Sequence, residues 1–236
     1  MAALGQADGK PDRSGEPELQ ALSKSLSGLK TYHLVFFDED HDAKDDPMWS
    51  DWTLDVWGEG AKYRGHWFEY YGDQSLTICD GKTVATDDMM EDGPLHLKDA
   101  PANRFAIRAD NTSPMLYLFG GDDAYKALVS PDGPVVMKQL AGDERELTFD
   151  SVPFGHVTLR YRFDSGQYRL EQCDYDDRAY MARQEWPAPD ADFDPMTRQV
   201  VEKFEANPRV DESRFEITLK GMTVDDQRSK KAGGRQ

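Results

Sequence analysis

Five histidines, His33, His41, His66, His96 and His156, are the first residues that could hold a metal or move a proton, and no two stand at a metal-ligand spacing. His33 and His156 fall beside polar strand positions, which predicts surface imidazoles. The sequence has no G-x-S-x-G elbow, no H-E-x-x-H and no phosphate loop. Asp38, Asp40 and Asp42 alternate, as do Asp190, Asp192 and Asp194. An EF-hand calcium loop needs Gly at its sixth place and Glu at its twelfth. Ala43 and Trp49 fall there in the first run, Pro195 and Val201 in the second, so both runs read as solvated loops. Carboxylates are so abundant that any fold would bring some pair together, and no glycosidase pair stands out. Nothing here looks like an enzyme, and no metal or cofactor is expected. A hydrolase would need a nucleophile–base pair that the sequence does not offer.

Cys79 and Cys173 lie far apart and outside any C-x-x-C pair. They read either as one disulfide of an exported protein or as two buried thiols. The formal charge of −17 repels phosphate backbones and excludes nucleic acid as the expected partner. The chain of 236 residues is long enough for one large all-β domain. No apolar run approaches the roughly 20 residues needed to span a bilayer. Gly, Pro, Asp and Ser make residues 1–16 a disordered lead-in in which no signal segment is visible. Residues 228–236 read as a flexible tail, leaving 17–227 as a single domain.

The elements that would position a site follow from periodicity. Leu19, Leu22, Leu26 and Leu29 recur at steps of three and four, one apolar stripe on a short helix ending at Gly28. From Lys30 the period becomes two. Tyr32, Leu34 and Phe36 share one strand face, then Asp38 to Pro47 reads as an acidic loop. Trp52, Leu54 and Val56 mark the next strand. Tyr63 to Tyr71 is a third, with Tyr63, Trp67 and Tyr71 on one face and Phe68 and Tyr70 on the other, so both faces should be covered. Leu76 and Ile78 lead into the hairpin turn Asp80-Gly81. Ser113-Pro114 opens a short helical insert over Met115 to Phe119, followed by another over Asp122 to Val129. Strands resume at 135–140, 144–149, 156–163, 168–173 and 179–186. Val200 to Phe204 suits helix or strand, and Phe215 with Ile217 forms a last short strand. About ten strands joined by turns predict a mainly β, open but strongly curved antiparallel half-barrel with short capping helices. Its apolar face would either enclose a cavity for a small hydrophobic molecule or pack as a filled core.

Four stretches, in order along the chain, resemble the periplasmic lipoprotein carriers of Gram-negative bacteria, the LolA/LolB-like group. They are Leu26-Ser27-Gly28-Leu29-Lys30-Thr31-Tyr32-His33, then Tyr63-Arg64 with Phe68 and Tyr70, then Ile78-Cys79-Asp80-Gly81-Lys82-Thr83. The last is Phe215-Glu216-Ile217 with Gly221-Met222-Thr223-Val224-Asp225-Asp226-Gln227-Arg228. Gly65 stands where the family usually has Pro. The resemblance implies a LolA-like half-barrel that carries a lipid, acyl chain or lipoprotein in a hydrophobic cavity, without enzymatic activity or cofactor. It implies a monomer of the periplasm, or one otherwise exported, meeting envelope membrane proteins. Arg64 would contact the lid helices, Phe68 and Tyr70 would line the cavity beside Tyr32, Leu34 and Phe36, and Met115, Leu116 and Phe119 would form the lid. The alternative is an acidic protein-interaction module with a filled core.

Overall fold

The computed structural model describes residues 10–40, 52–69, 72–88, 93–101, 113–176, 178 and 196–229. Helix α1 (Glu16–Ser27) leads into six strands, β1 (Thr31–Asp40), β2 (Trp52–Glu59), β3 (Lys62–Glu69), β4 (Gly72–Cys79), β5 (Thr83–Asp88) and β6 (Leu95–Asp99). Two short helices follow, α2 (Pro114–Tyr117) and α3 (Asp122–Leu128). Then come β7 (Val135–Gln139), β8 (Glu144–Ser151), β9 (Gly155–Asp164), β10 (Gln167–Asp176) and β11 (Met196–Ala206). A 3-10 helix (Glu212–Phe215) and β12 (Val224–Asp226) end the described chain.

All twelve strands join one sheet in the order β12-β6-β5-β4-β3-β2-β1-β11-β10-β9-β8-β7. Two antiparallel meanders meet where β1 pairs with β11, and β12 alone is parallel to its neighbour β6. The sheet is open and uncurled, which corrects the expected strongly curved half-barrel. A meander must curl when its own strands are the only cover for its apolar face. Here other segments supply that cover. Leu19, Leu22 and Leu26 of α1, Met115 and Leu116 of α2 and Leu128 of α3 are buried in one core with the strand side chains. Each contributes about 1.5–3 kcal/mol when fully removed from water. The β7 edge is tied down at its first residue. The backbone N–H of Val135 donates to Asp12 (2.7 Å), and Gly15 donates to the carbonyl of Val135 (2.8 Å).

Local sequence explains the short elements. Ser113 Oγ accepts the N–H of Met115 and Pro114 takes the first helical position, as the Ser-Pro step predicts. The Asp80-Gly81 step makes the β4–β5 turn, with Gly81 at φ +95° and Asp80 Oδ1 accepting from the N–H groups of Lys82 and Thr83.

Several expectations change. Strands β6 and β12 escape the periodicity reading. Residues 200–204 are strand, within β11. Phe215 ends a 3-10 helix rather than lying in a strand with Ile217, because Asp211 accepts the N–H of Ser213 and caps that turn. Asp38 belongs to β1, buried on its core face, where Gln199 donates to it (3.1 Å), and not to a solvated loop. Cys79 and Cys173 are free, buried thiols on strands with four others between them. Residues 1–9 and 230–236, the Asp190–Asp194 run and the strand expected over 179–186 lie outside the described residues.

Gly58 faces Tyr32 across β1 and β2, and a Cβ there would lie 2.2 Å from the Tyr32 ring. That ring stacks on Phe119 at 4.3 Å and has nowhere to move. Gly58→Ala is expected to cost about 1–3 kcal/mol in urea unfolding through overpacking. An unchanged midpoint would show that the ring relocates freely.

Candidate functional site

The strand register divides the sequence-predicted site between two faces. Tyr32 lies opposite Gly58, which lies opposite Tyr63, so these point to the helix-covered face with Leu34 and Phe36. His33 lies opposite Trp57, and Trp57 opposite Arg64, so Arg64 and Phe68 point the other way. On the helix side Tyr32, Leu34, Phe36, Met115, Leu116 and Phe119 come together, at most 4% exposed and packed against one another. On the far side Phe68 tilts against His66 at 5.4 Å. Tyr70 lies outside the described residues.

The far face holds a pocket of about 400 Å³. Its floor is the outward row of β4, β5 and β6, with Leu76, Ile78, Ala85 and Leu95. Its roof is the chain from Ser213 to Met222, which crosses back over these strands. Ile217 packs on Ala85, Leu95 and Leu97 in a small apolar cluster of its own. The roof is fixed at both ends. Phe215 is buried at one, with Lys62 Nζ 5.7 Å from its ring centre. At the other, Leu95 donates its N–H to Thr223 and Gln227 donates to Leu97, both at 2.9 Å.

Two guanidinium groups line this pocket, Arg64 from β3 and Arg214 from the roof. Arg214 lies over the Trp57 ring at 4.0 Å, and Trp57 stacks on His33 with ring centres 3.7 Å apart. His33 is buried, contrary to the surface imidazole expected, with Nε2 3.1 Å from Asp55 and Nδ1 3.0 Å from Glu205. Burial pushes the Asp55 carboxyl up. The His33 hydrogen bond and the charges of His33, Arg64 and Arg214 outweigh that and hold it below its ordinary value of 3.8. Asp87 and Glu216 supply the pocket's carboxylates. Among the described residues no group of three or more His, Cys, Asp or Glu could hold a metal ion.

No family model and no curated protein matches this chain. Among the solved structures similar to it are the following two. One is a DUF1329 family protein from Desulfovibrio piger, 8% identical, covering 88% of this chain and 98% of that one, with a TM-score of 0.41. The other is a LolA superfamily protein from Nitrosomonas europaea, 8% identical, covering 86% and 97%, with a TM-score of 0.36. Scores this low carry no argument about function.

Of the expected binding residues that are described, Arg64 alone lines the far-face pocket. Arg214, Ile217 and Met222 lie outside the expected site, because the alternation at Phe215 and Ile217 reads as a strand within the sheet and nothing local shows that residues 213–222 cross over its face. The signal that could have found them was the strand with aromatics on both faces, since its second face needed a cover.

Because the folded Asp55 holds its proton less tightly than an unfolded aspartate, its stabilising effect is complete above its ordinary pKa and is lost as pH falls through the folded value. Asp55→Asn lacks that contribution at neutral pH. Urea midpoints measured from about pH 6 down to about pH 2 should show wild type and variant converging below about pH 4. A gap that stays constant over this range would remove Asp55 from the acid response.

Proposed function

We propose that this chain is a non-enzymatic binder of a lipid or acyl chain, and that the pocket between β3–β6 and residues 213–222 holds it. The observation that carries the reading is the apolar floor of Leu76, Ile78, Ala85 and Leu95, faced by Ile217 and Met222 from a mixed roof, around about 400 Å³. That volume falls in the range of small-molecule sites, roughly 300–1,000 Å³, at the end suited to one hydrocarbon segment. Each methylene buried there contributes about 0.8 kcal/mol, so a chain of several carbons binds without further chemistry. Binding is sequestration: the guest leaves water for Leu76, Ile78 and Leu95 below and Ile217 and Met222 above. An exported location, a lipid or lipoprotein of the bacterial envelope as cargo, and membrane proteins of the envelope as donors or acceptors are supported by the motif resemblance. The net charge of −17 argues against nucleic acid.

The packed helix face favours a second reading. Leu34, Phe36, Met115 and Leu116 are fully buried against one another, as in an interaction module that works through its acidic surface.

A fluorescent acyl probe separates the two. Leu76 is partly exposed in the pocket floor, so Leu76→Trp fills the pocket from within while the fold has room for it. Losing the burial of about two methylenes should weaken the probe about tenfold with an unchanged melting temperature. A wild-type protein that fails to take up the probe, or a variant that binds it equally well, sinks the lipid reading in favour of the interaction module.

A further inference from the structure

Arg64 and Arg214 stand out in a chain with 45 acidic and 28 basic side chains, because both line the same pocket beside its apolar floor. Their chemistry there is unspent. Among the described residues, neither guanidinium has an ion-pair partner or a hydrogen-bond acceptor for its side-chain N–H groups. Arg214 lies over the Trp57 ring, but that contact uses the flat face of the guanidinium and leaves its edge donors free. Asp55 feels both charges through space, yet its carboxylate already faces His33 Nε2 at 3.1 Å. Asp87, the floor carboxylate, sits two strands away from Arg64 and in the next row of side chains. Glu216 is exposed on the roof, as is Arg214 two residues before it. The β3 side of the pocket is therefore its cationic side, and the floor beyond Arg64 continues through Ile78, Ala85 and Leu95.

Resting on the lipid-binding reading of this pocket, we infer that its ligand is a single-chain amphiphile with an anionic headgroup, a carboxylate or a phosphate. The headgroup accepts hydrogen bonds from Arg64 and Arg214 while the hydrocarbon lies along the β4–β6 floor. Planar guanidinium donors match both headgroups, and a charge-assisted bond is about twice as strong as a neutral one. Arg214 is exposed but rests on Trp57, which is itself stacked on buried His33, so this donor has an aromatic platform beside the pocket before the ligand arrives.

The test compares dodecanoate, dodecyl phosphate and dodecanol by calorimetric titration of the full chain. At least one anion should bind about tenfold or more tighter than the alcohol, and the preference should shrink with added salt. Whichever anion is preferred names the headgroup. Arg64→Gln with Arg214→Gln should remove the preference, weakening the anions far more than dodecanol, until the three bind alike. Arg64→Lys with Arg214→Lys, which keeps the charges, should retain part of the preference. If the Gln pair fails to fold by circular dichroism, the salt dependence and the Lys pair decide the matter. Equal binding of all three ligands to wild type overturns the anionic headgroup and leaves the acyl pocket standing. Binding of none overturns both.

Discussion

The pairing of β1 with β11 holds the molecule together. Residues 31–40 must find residues 197–206, and nine matched pairs join the two meanders across a bulge at Val35/Phe36. Everything between them in sequence closes as one large loop, an entropic cost that local turns cannot offset. Each meander alone has only neighbouring-strand contacts. Their junction brings Leu34 opposite Phe204 and Phe36 opposite Val201, and so makes one core out of two half-faces. Folding should be slow for the same reason, since the decisive contacts are far apart in the chain.

Given that junction, the two faces of the sheet have different duties. The helix face is filled by its own side chains, with Tyr32 on Phe119 and Phe154 edge-on to both Tyr117 and Tyr175. Its buried polar groups answer one another: Ser113 donates to Gln199 at 2.6 Å, and Gln199 donates to Asp38. Such satisfied groups pin the α2 segment to the strands. Among the described residues, the far face over β3–β6 is covered by the passing segment 213–222, which holds only one 3-10 turn and leaves room that longer helices would fill. The candidate site lies where the cover is thinnest.

The sequence made local features legible and hid distant ones. The stripe of Leu19, Leu22 and Leu26, the Ser113 cap and the Asp80-Gly81 turn are written within a few residues, and the structure has them where periodicity and turn chemistry put them. The alternation of Val157, Leu159 and Tyr161 in β9 likewise gives burial directly. Sheet curvature is not a local property. It depends on what else covers the apolar face, and the docking of α1–α3 cannot be read from any strand. The candidate site suffered in the same way. Arg64 and Phe68 share the two-residue period with each other, but the face they share is set by the β2–β3 register, which places them opposite Tyr32 and Tyr63. Asp38 and His33 read as surface groups because a polar side chain with no partner nearby in the sequence implies exposure. Both are buried beside partners supplied by other strands.

The N-terminal tie to Val135 has a consequence for how the protein keeps to itself. An outermost strand with bare amides and carbonyls invites a foreign strand to add on. Val135 offers neither its N–H nor its carbonyl, since Asp12 and Gly15 occupy both, while Arg13 Nη1 claims the carbonyls of Ser130, Pro131 and Gly133 just before it. At the opposite margin β12 performs the same service for β6. One margin thus begins with a tied residue and the other ends in a strand of only three residues, and a chain shortened past Asp12 would bare the start of β7 to its own copies.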